Sequence, residues 1–122
     1  MATILVVDDS SDTRVVVRMA LEMAGHGVEE AGDGAQALTR LETEPLPDLV
    51  LLDIRMPGIN GWEVLERIRR NPYLPSVRRI PVVLFSAHVT QDDPRLSQVD
   101  NLVVKPFRGS TLVAQVEDAL RR

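Results

Sequence analysis

Three aspartates and one lysine, far apart in the chain, stand where short apolar runs end. Residues 4–7 lead into Asp8 and Asp9, residues 49–52 into Asp53, and residues 102–104 into Lys105. In an open parallel sheet the carboxyl ends of the strands converge on one crevice, and ligands bind there. The pattern therefore predicts three carboxylates and an ammonium at a single point. Crowded carboxylates repel, and a hard divalent cation with oxygen ligands relieves the repulsion. A carboxylate beside such a cation and a lysine is suited to accept a phosphoryl group.

The rest of the chain must position these groups. Residues 4–7, 28–31, 49–53, 80–85 and 101–104 read as strands, the second half polar and near an edge, the third the most apolar and central. Ser10 or Ser11 caps a helix ending near Gly25, with Val16, Met19, Ala20 and Met23 on its apolar face. Arg14, Arg18 and Glu22 share another face at i, i+4 spacing. Asp33 with Gln36 forms a capping box for a helix through Leu38 and Leu41, which Pro45 and Pro47 end. Residues 61–70 form a helix with Val64, Leu65 and Ile68 inward and the pairs Glu63–Arg67 and Glu66–Arg70 outward. Trp62 near its start is a packing residue. Residues 71–79, with two prolines, read as a loop. Residues 111–120 form the last helix, burying Leu112, Val113, Val116 and Leu120 and ending on the charged pair Arg121 and Arg122. This alternation predicts one α/β domain over residues 1–122, a doubly wound parallel sheet of five strands flanked by about five helices.

Composition narrows the function. The 122 residues suffice for one domain with a core, and 44% apolar and 26% charged residues are ordinary for a globular protein. A net charge of -4 argues against direct nucleic-acid binding. The chain has no cysteine, which excludes disulfides, thiolate metal sites and thiol nucleophiles. No apolar run approaches the roughly 20 residues that span a bilayer. Residues 1–3 lack the features of a signal peptide, so the expected location is cytoplasmic, without membrane insertion.

Val7-Asp8-Asp9-Ser10, Leu52-Asp53-Ile54-Arg55-Met56-Pro57-Gly58-Ile59-Asn60-Gly61, Phe85-Ser86-Ala87 and Lys105-Pro106-Phe107 together resemble the receiver domain of bacterial two-component response regulators. The resemblance covers essentially the whole chain. It implies a flavodoxin-like fold with strand order 2-1-3-4-5. It implies that Asp53 is the phosphoacceptor, attacking a phosphohistidine of a sensor histidine kinase or histidine phosphotransfer protein. Mg²⁺ would be held by Asp9, by Asp8 directly or through water, by Asp53 and by the Arg55 backbone carbonyl. Lys105 would pair with one phosphoryl oxygen, Ser86 would bond another after moving toward it, and Ala87 would offer its backbone N–H. Such a domain is a signalling switch or phosphorelay element, not an enzyme beyond its own phosphorylation and dephosphorylation, and it acts on a downstream protein. Arg55 and His88, two residues past Asp53 and Ser86, would flank the attacking water. Pro106 favours a cis bond after Lys105.

Two features depart from the family pattern. The position three before the lysine, usually aromatic, is Leu102, so an inward-swinging ring cannot report phosphorylation. Lys105 follows Ser86 by only 19 positions, and Pro94 falls where a fourth helix should run. That helix is expected to be short or irregular, starting at residues 91–94 and ending near Val99. Three other functions compete. A haloacid-dehalogenase-type phosphatase needs an acid where Arg55 stands, and a flavin or nucleotide binder needs a glycine- or hydroxyl-rich loop where Asp8 and Asp9 stand. A pseudo-receiver, a docking module that is never phosphorylated, is the third.

Overall fold

A computed structural model describes residues 1–87 and 89–122. The elements in chain order are β1 (Thr3–Val7), α1 (Ser11–Met23), β2 (Gly27–Ala31), α2 (Gly34–Arg40), β3 (Leu49–Leu52), α3 (Gly61–Arg69), α4 (Pro75–Arg78), β4 (Val82–Ser86), a 3-10 segment (Pro94–Gln98), β5 (Asn101–Val104) and α5 (Gly109–Leu120). The five strands pair in parallel in the order β2-β1-β3-β4-β5, as the resemblance implies. The apolar β3 is central and the half-polar β2 lies at an edge.

Helices cover both faces of the sheet, which is why the central strands are apolar without alternation. Leu5, Val7, Val50, Leu52, Val82 and Leu84 pack toward α2, α3 and α4. Ile4, Val6, Leu49, Leu51, Val83 and Phe85 pack toward α1 and α5. The caps hold as expected: the Ser10 side chain accepts from the Thr13 N–H, and Asp33 from the Gln36 N–H. On α5, Leu112, Val116 and Ala119 are buried, while Val113 and Leu120 pack at the margin of the core. Of the two ion pairs expected on α3, Glu66–Arg70 is present at 3.4 Å, and Glu63–Arg67 is absent among the described residues.

The structure corrects three expectations. On α1 the buried residues are Val17 and Leu21, whereas Val16, Met19 and Met23 are 57%, 59% and 88% exposed. Apolar residues occur on several sides of this helix, so its period does not select one face. Its rotation buries Val17 and Leu21 fully and places Arg14 and Arg18 where both pair with Glu30 on β2. Residues 71–79 are not wholly loop, because Pro75 opens the short α4 and Val77 anchors it in the core. Proline is tolerated in a first turn, where its missing N–H has no intrahelical partner. β4 begins at Val82, not residue 80. The fourth α-helix therefore precedes β4. Between β4 and β5 there is only the 3-10 segment, which Pro94 opens and the Asp93 side chain caps.

Side chains from α3 tie that crossover and the segment before β4 to the helix. Arg69 Nε donates to the Gln98 carbonyl at 2.8 Å, and Nη1 to the Arg78 and Ile80 carbonyls at 3.1 and 2.6 Å. The Arg95 guanidinium lies 3.9 Å over the Trp62 ring. Leu102 packs against the core with Leu96 and Val99. At the other end, Arg122 donates to the Asp100 carbonyl at 2.6 Å, tying the end of α5 to the start of β5. No helix of the described residues is long and apolar enough to cross a membrane.

Candidate phosphoacceptor site

Strand register assembles the site. Val7 of β1 lies opposite Leu52 of β3, so Asp8 and Asp53, each one residue further on, emerge side by side. The Asp53 N–H donates to the Val7 carbonyl at 2.9 Å and the Asp8 N–H to the Ala31 carbonyl at 3.2 Å, so both backbones are held by the sheet. On the other side Ser86 pairs with Val104, and the Lys105 N–H donates to the Ser86 carbonyl at 3.0 Å. The lysine thus starts one residue past β5, level with the end of β4.

The four groups expected to meet do meet. Asp8, Asp9 and Asp53 each offer a carboxylate oxygen, all within 4.8 Å of one another. Lys105 Nζ is 2.9 Å from Asp8 Oδ2 and 3.5 Å from Asp53 Oδ1. Asp8 and Asp53 are buried, and Asp9 is exposed at the mouth. Ser86 is buried at the end of β4, and Ala87 is exposed beside it. The Arg55 side chain is exposed just beyond Asp53, while His88 lies outside the described residues. The Lys105–Pro106 bond is cis.

Burial pushes the Asp53 carboxyl above the ordinary carboxylate range. The neighbouring Asp8 charge adds to the shift, while Lys105 and the Arg55 backbone amide oppose it. Ionising Asp53 is therefore costly until a further positive charge enters. The donors are all carboxylate oxygens, a set that suits a hard cation such as Mg²⁺ and not a soft or thiolate-bound metal.

Three residues of the site have no role assigned from sequence: Phe85 and Gly61 stand in the quoted motifs, and Arg14 reads only as part of a polar helix face. Phe85 lies beneath the lysine, with Nζ 4.5 Å from its ring centroid, and its own ring meets Phe107 edge-on at 6.2 Å. Its sequence signal is an aromatic residue at the end of a buried run, directly before Ser86 in the Phe85-Ser86-Ala87 motif. Gly61 packs its backbone directly against that of Asp53. Arg14 turns back from α1 and donates to the Asp8 carbonyl. A cation five residues after an acidic pair, in the first turn of a helix leaving the strand end, is the signal that could have found it.

A family model described as the response regulator receiver domain matches residues 4–117. The chain belongs to this family. The receiver domain is 36% identical over 125 residues to the transcriptional regulatory protein AfsQ1 of Streptomyces coelicolor, covering 100% of this chain and 52% of that protein. It is 38% identical over 122 residues to the DNA-binding response regulator MtrA of Mycobacterium tuberculosis, covering 98% of this chain and 50% of the relative. The chain thus spans about half the length of these curated relatives. Among solved structures, the chemotaxis response regulator CheY4 of Vibrio cholerae superposes with a TM-score of 0.85 at 28% identity, covering 98% of each chain. The receiver domain of the Francisella response regulator 1452 superposes with a TM-score of 0.87 at 25% identity, covering 100% of this chain and 98% of that one. A receiver domain is a signalling domain.

Proposed function

We propose that the domain, over residues 1–122, accepts a phosphoryl group on Asp53 from a phosphohistidine of a sensor histidine kinase or histidine phosphotransfer protein. The observation that carries this is the convergence of three carboxylates within 4.8 Å around an ammonium that touches two of them. A carboxylate oxygen of Asp53 attacks phosphorus, the P–N bond to the imidazole breaks with its electron pair on nitrogen, and an acyl phosphate forms. Transfer through a loose transition state needs an in-line acceptor and charge neutralisation, and little else. Asp8, Asp9, Asp53 and the Arg55 carbonyl would hold Mg²⁺, which neutralises developing charge on the phosphoryl oxygens when bound. Lys105 pairs with one of those oxygens, Ser86 bonds a second and the Ala87 N–H a third. Water reverses the modification, with Arg55 and His88 flanking its path. The domain catalyses only these two steps.

The donor protein has a surface to meet. A groove lined by Thr13, Val16, Pro106 and Phe107 opens beside Lys105 and Ala87, and the exposed Met19 and Met23 extend its apolar character along α1. Such a face, continuous with the acceptor site, suits a protein that must bring a phosphohistidine to Asp53. The acidic domain itself is read as cytoplasmic and not as a nucleic-acid contact; it passes its state to another protein or domain.

The test is intact mass after incubation with acetyl phosphate. One phosphate adduct is expected in Mg²⁺ and none in EDTA. Equal labelling in both overturns the metal's role, and no labelling in Mg²⁺ favours the pseudo-receiver reading.

Lys105→Ala separates the two charges of the site. The ammonium lies against Asp8 and Asp53 and would compete with a cation for them. The variant is expected to bind Mg²⁺ as tightly as wild type or tighter in calorimetric titration. Its adduct should form about a hundredfold more slowly, the scale of losing one donor to transition-state charge. Loss of Mg²⁺ binding would instead make Lys105 an organiser of the acids.

A further inference from the structure

We infer that Arg14 is a positioning residue for the cation: it holds the peptide between Asp8 and Asp9 so that the Asp9 carboxylate faces the pocket. The inference rests on the phosphoacceptor reading above.

The geometry around Asp8 leaves this task to one side chain. The Asp8 N–H is taken by the Ala31 carbonyl, Oδ1 accepts from the Ser10 N–H at 2.8 Å, and Oδ2 accepts from Lys105 at 2.9 Å. The remaining polar atom, the Asp8 carbonyl, accepts from Arg14 Nη1. The next residue is Asp9. Its carboxylate accepts no hydrogen bond among the described residues, so no side-chain or backbone donor there orients it. The Asp8 carbonyl and the Asp9 N–H share one rigid peptide plane. Fixing the carbonyl therefore fixes where Asp9 leaves the chain.

Arg14 is itself braced. Its Nε donates to Glu30 Oε1 at 2.8 Å, and only 18% of the side chain is exposed. The other oxygen of Glu30 accepts from Arg18 Nε at 2.8 Å, and Arg18 reaches Glu22 at 3.1 Å. Arg18, with Arg14 second, holds the Glu30 carboxyl below the usual carboxylate range. A planar guanidinium spans the Asp8 carbonyl and Glu30 at once, which a lysine cannot do.

Charge and position predict opposite results, which makes the inference sharp. Arg14 is a cation close to a cation site, so electrostatics alone has Arg14→Gln bind Mg²⁺ more tightly. Positioning has it bind more weakly. Residues that orient metal ligands typically govern affinity by tenfold or more. Calorimetric titration with Mg²⁺ on the full chain is expected to show Arg14→Gln weakened about tenfold. Arg14→Lys, which keeps the repelling charge but loses the two-acceptor span, should be weakened at least as much. Arg18→Gln, which loses a charge without touching Asp8, should be unchanged or slightly tighter. Adduct formation from acetyl phosphate should recover toward the wild-type rate at saturating Mg²⁺, because Asp53 and Lys105 are intact. A residue that merely braces α1 against the sheet would move the melting temperature in EDTA and leave Mg²⁺ affinity alone. Arg14→Gln and Arg14→Lys variants that fold and bind Mg²⁺ as tightly as wild type overturn the inference by itself. A wild-type protein that binds no Mg²⁺ overturns the phosphoacceptor reading with it.

Discussion

Asp53→Asn is expected to abolish labelling by acetyl phosphate in Mg²⁺ and to raise the melting temperature in EDTA by several degrees. The first effect follows from chemistry, since an amide is a poor nucleophile and cannot form the acyl phosphate. The second follows from the cost of the native charge. Asp53 is only 5% exposed and stands beside Asp8, and both burial and that neighbour raise its folded-state pKa above the unfolded value of about 3.9. Between those two values the folded state holds more protons than the unfolded one, so stability falls as pH rises through that window. The penalty sets in above the ordinary carboxylate range, so it is present at pH 7, and it vanishes below that range. The advantage of the variant in EDTA should shrink accordingly as pH falls toward 4. Saturating Mg²⁺ should reverse the ranking, because the cation stabilises the state that binds it. An Asp53→Asn protein that melts below wild type in EDTA would show that Asp53 is held by favourable contacts instead. A labelled variant would place the phosphoacceptor elsewhere.

Gly61→Ala is expected to destabilise the fold by about 3 kcal/mol or more and to slow phosphorylation at least tenfold. A Cβ on Gly61 would lie 2.2 Å from the Asp53 carbonyl oxygen, 2.7 Å from Ile54 Cα and 2.9 Å from the Asp53 carbonyl carbon. All three are backbone atoms, so no rotamer change relieves the overlap. The Gly61 N–H also donates to the Ile54 carbonyl at 2.8 Å, which pins the start of α3 against the exit of β3. Opening that contact moves the backbone that carries the acceptor, and a displacement near 1 Å costs about a hundredfold in a positioned reaction. Urea unfolding measures the first effect and adduct formation the second. An unchanged urea midpoint would show that the contact yields without cost.

The convergence of Asp8, Asp9, Asp53 and Lys105 was legible because each follows a continuous apolar run. Buried parallel strands read that way, and their carboxyl ends share one edge. The irregular crossover before β5 was legible from Pro94 and the short spacing to Lys105. The rotation of α1 was not, because Val15, Val16, Val17, Met19, Leu21 and Met23 present apolar atoms on several sides of one helix. Nor was the helical turn at Pro75, where a proline that usually ends a helix instead begins one.

The sequence alone determined the local choices of this protein: which stretches extend, where Ser10 and Asp33 cap helices, and which acids and which lysine stand at strand ends. These depend on residues within a few positions of each other, and propensity, period and capping act over that range. The tertiary structure alone decided what depends on contact across the chain. Arg14 reaches Asp8 and Glu30, Arg69 gathers carbonyls from three segments, Phe85 underlies Lys105, and Gly61 meets the backbone of Asp53. Such contacts leave no period in the sequence. A guanidinium is recruited by whichever carbonyls and carboxylates the packed sheet leaves without a partner, and a glycine is required where two backbones approach too closely for any Cβ.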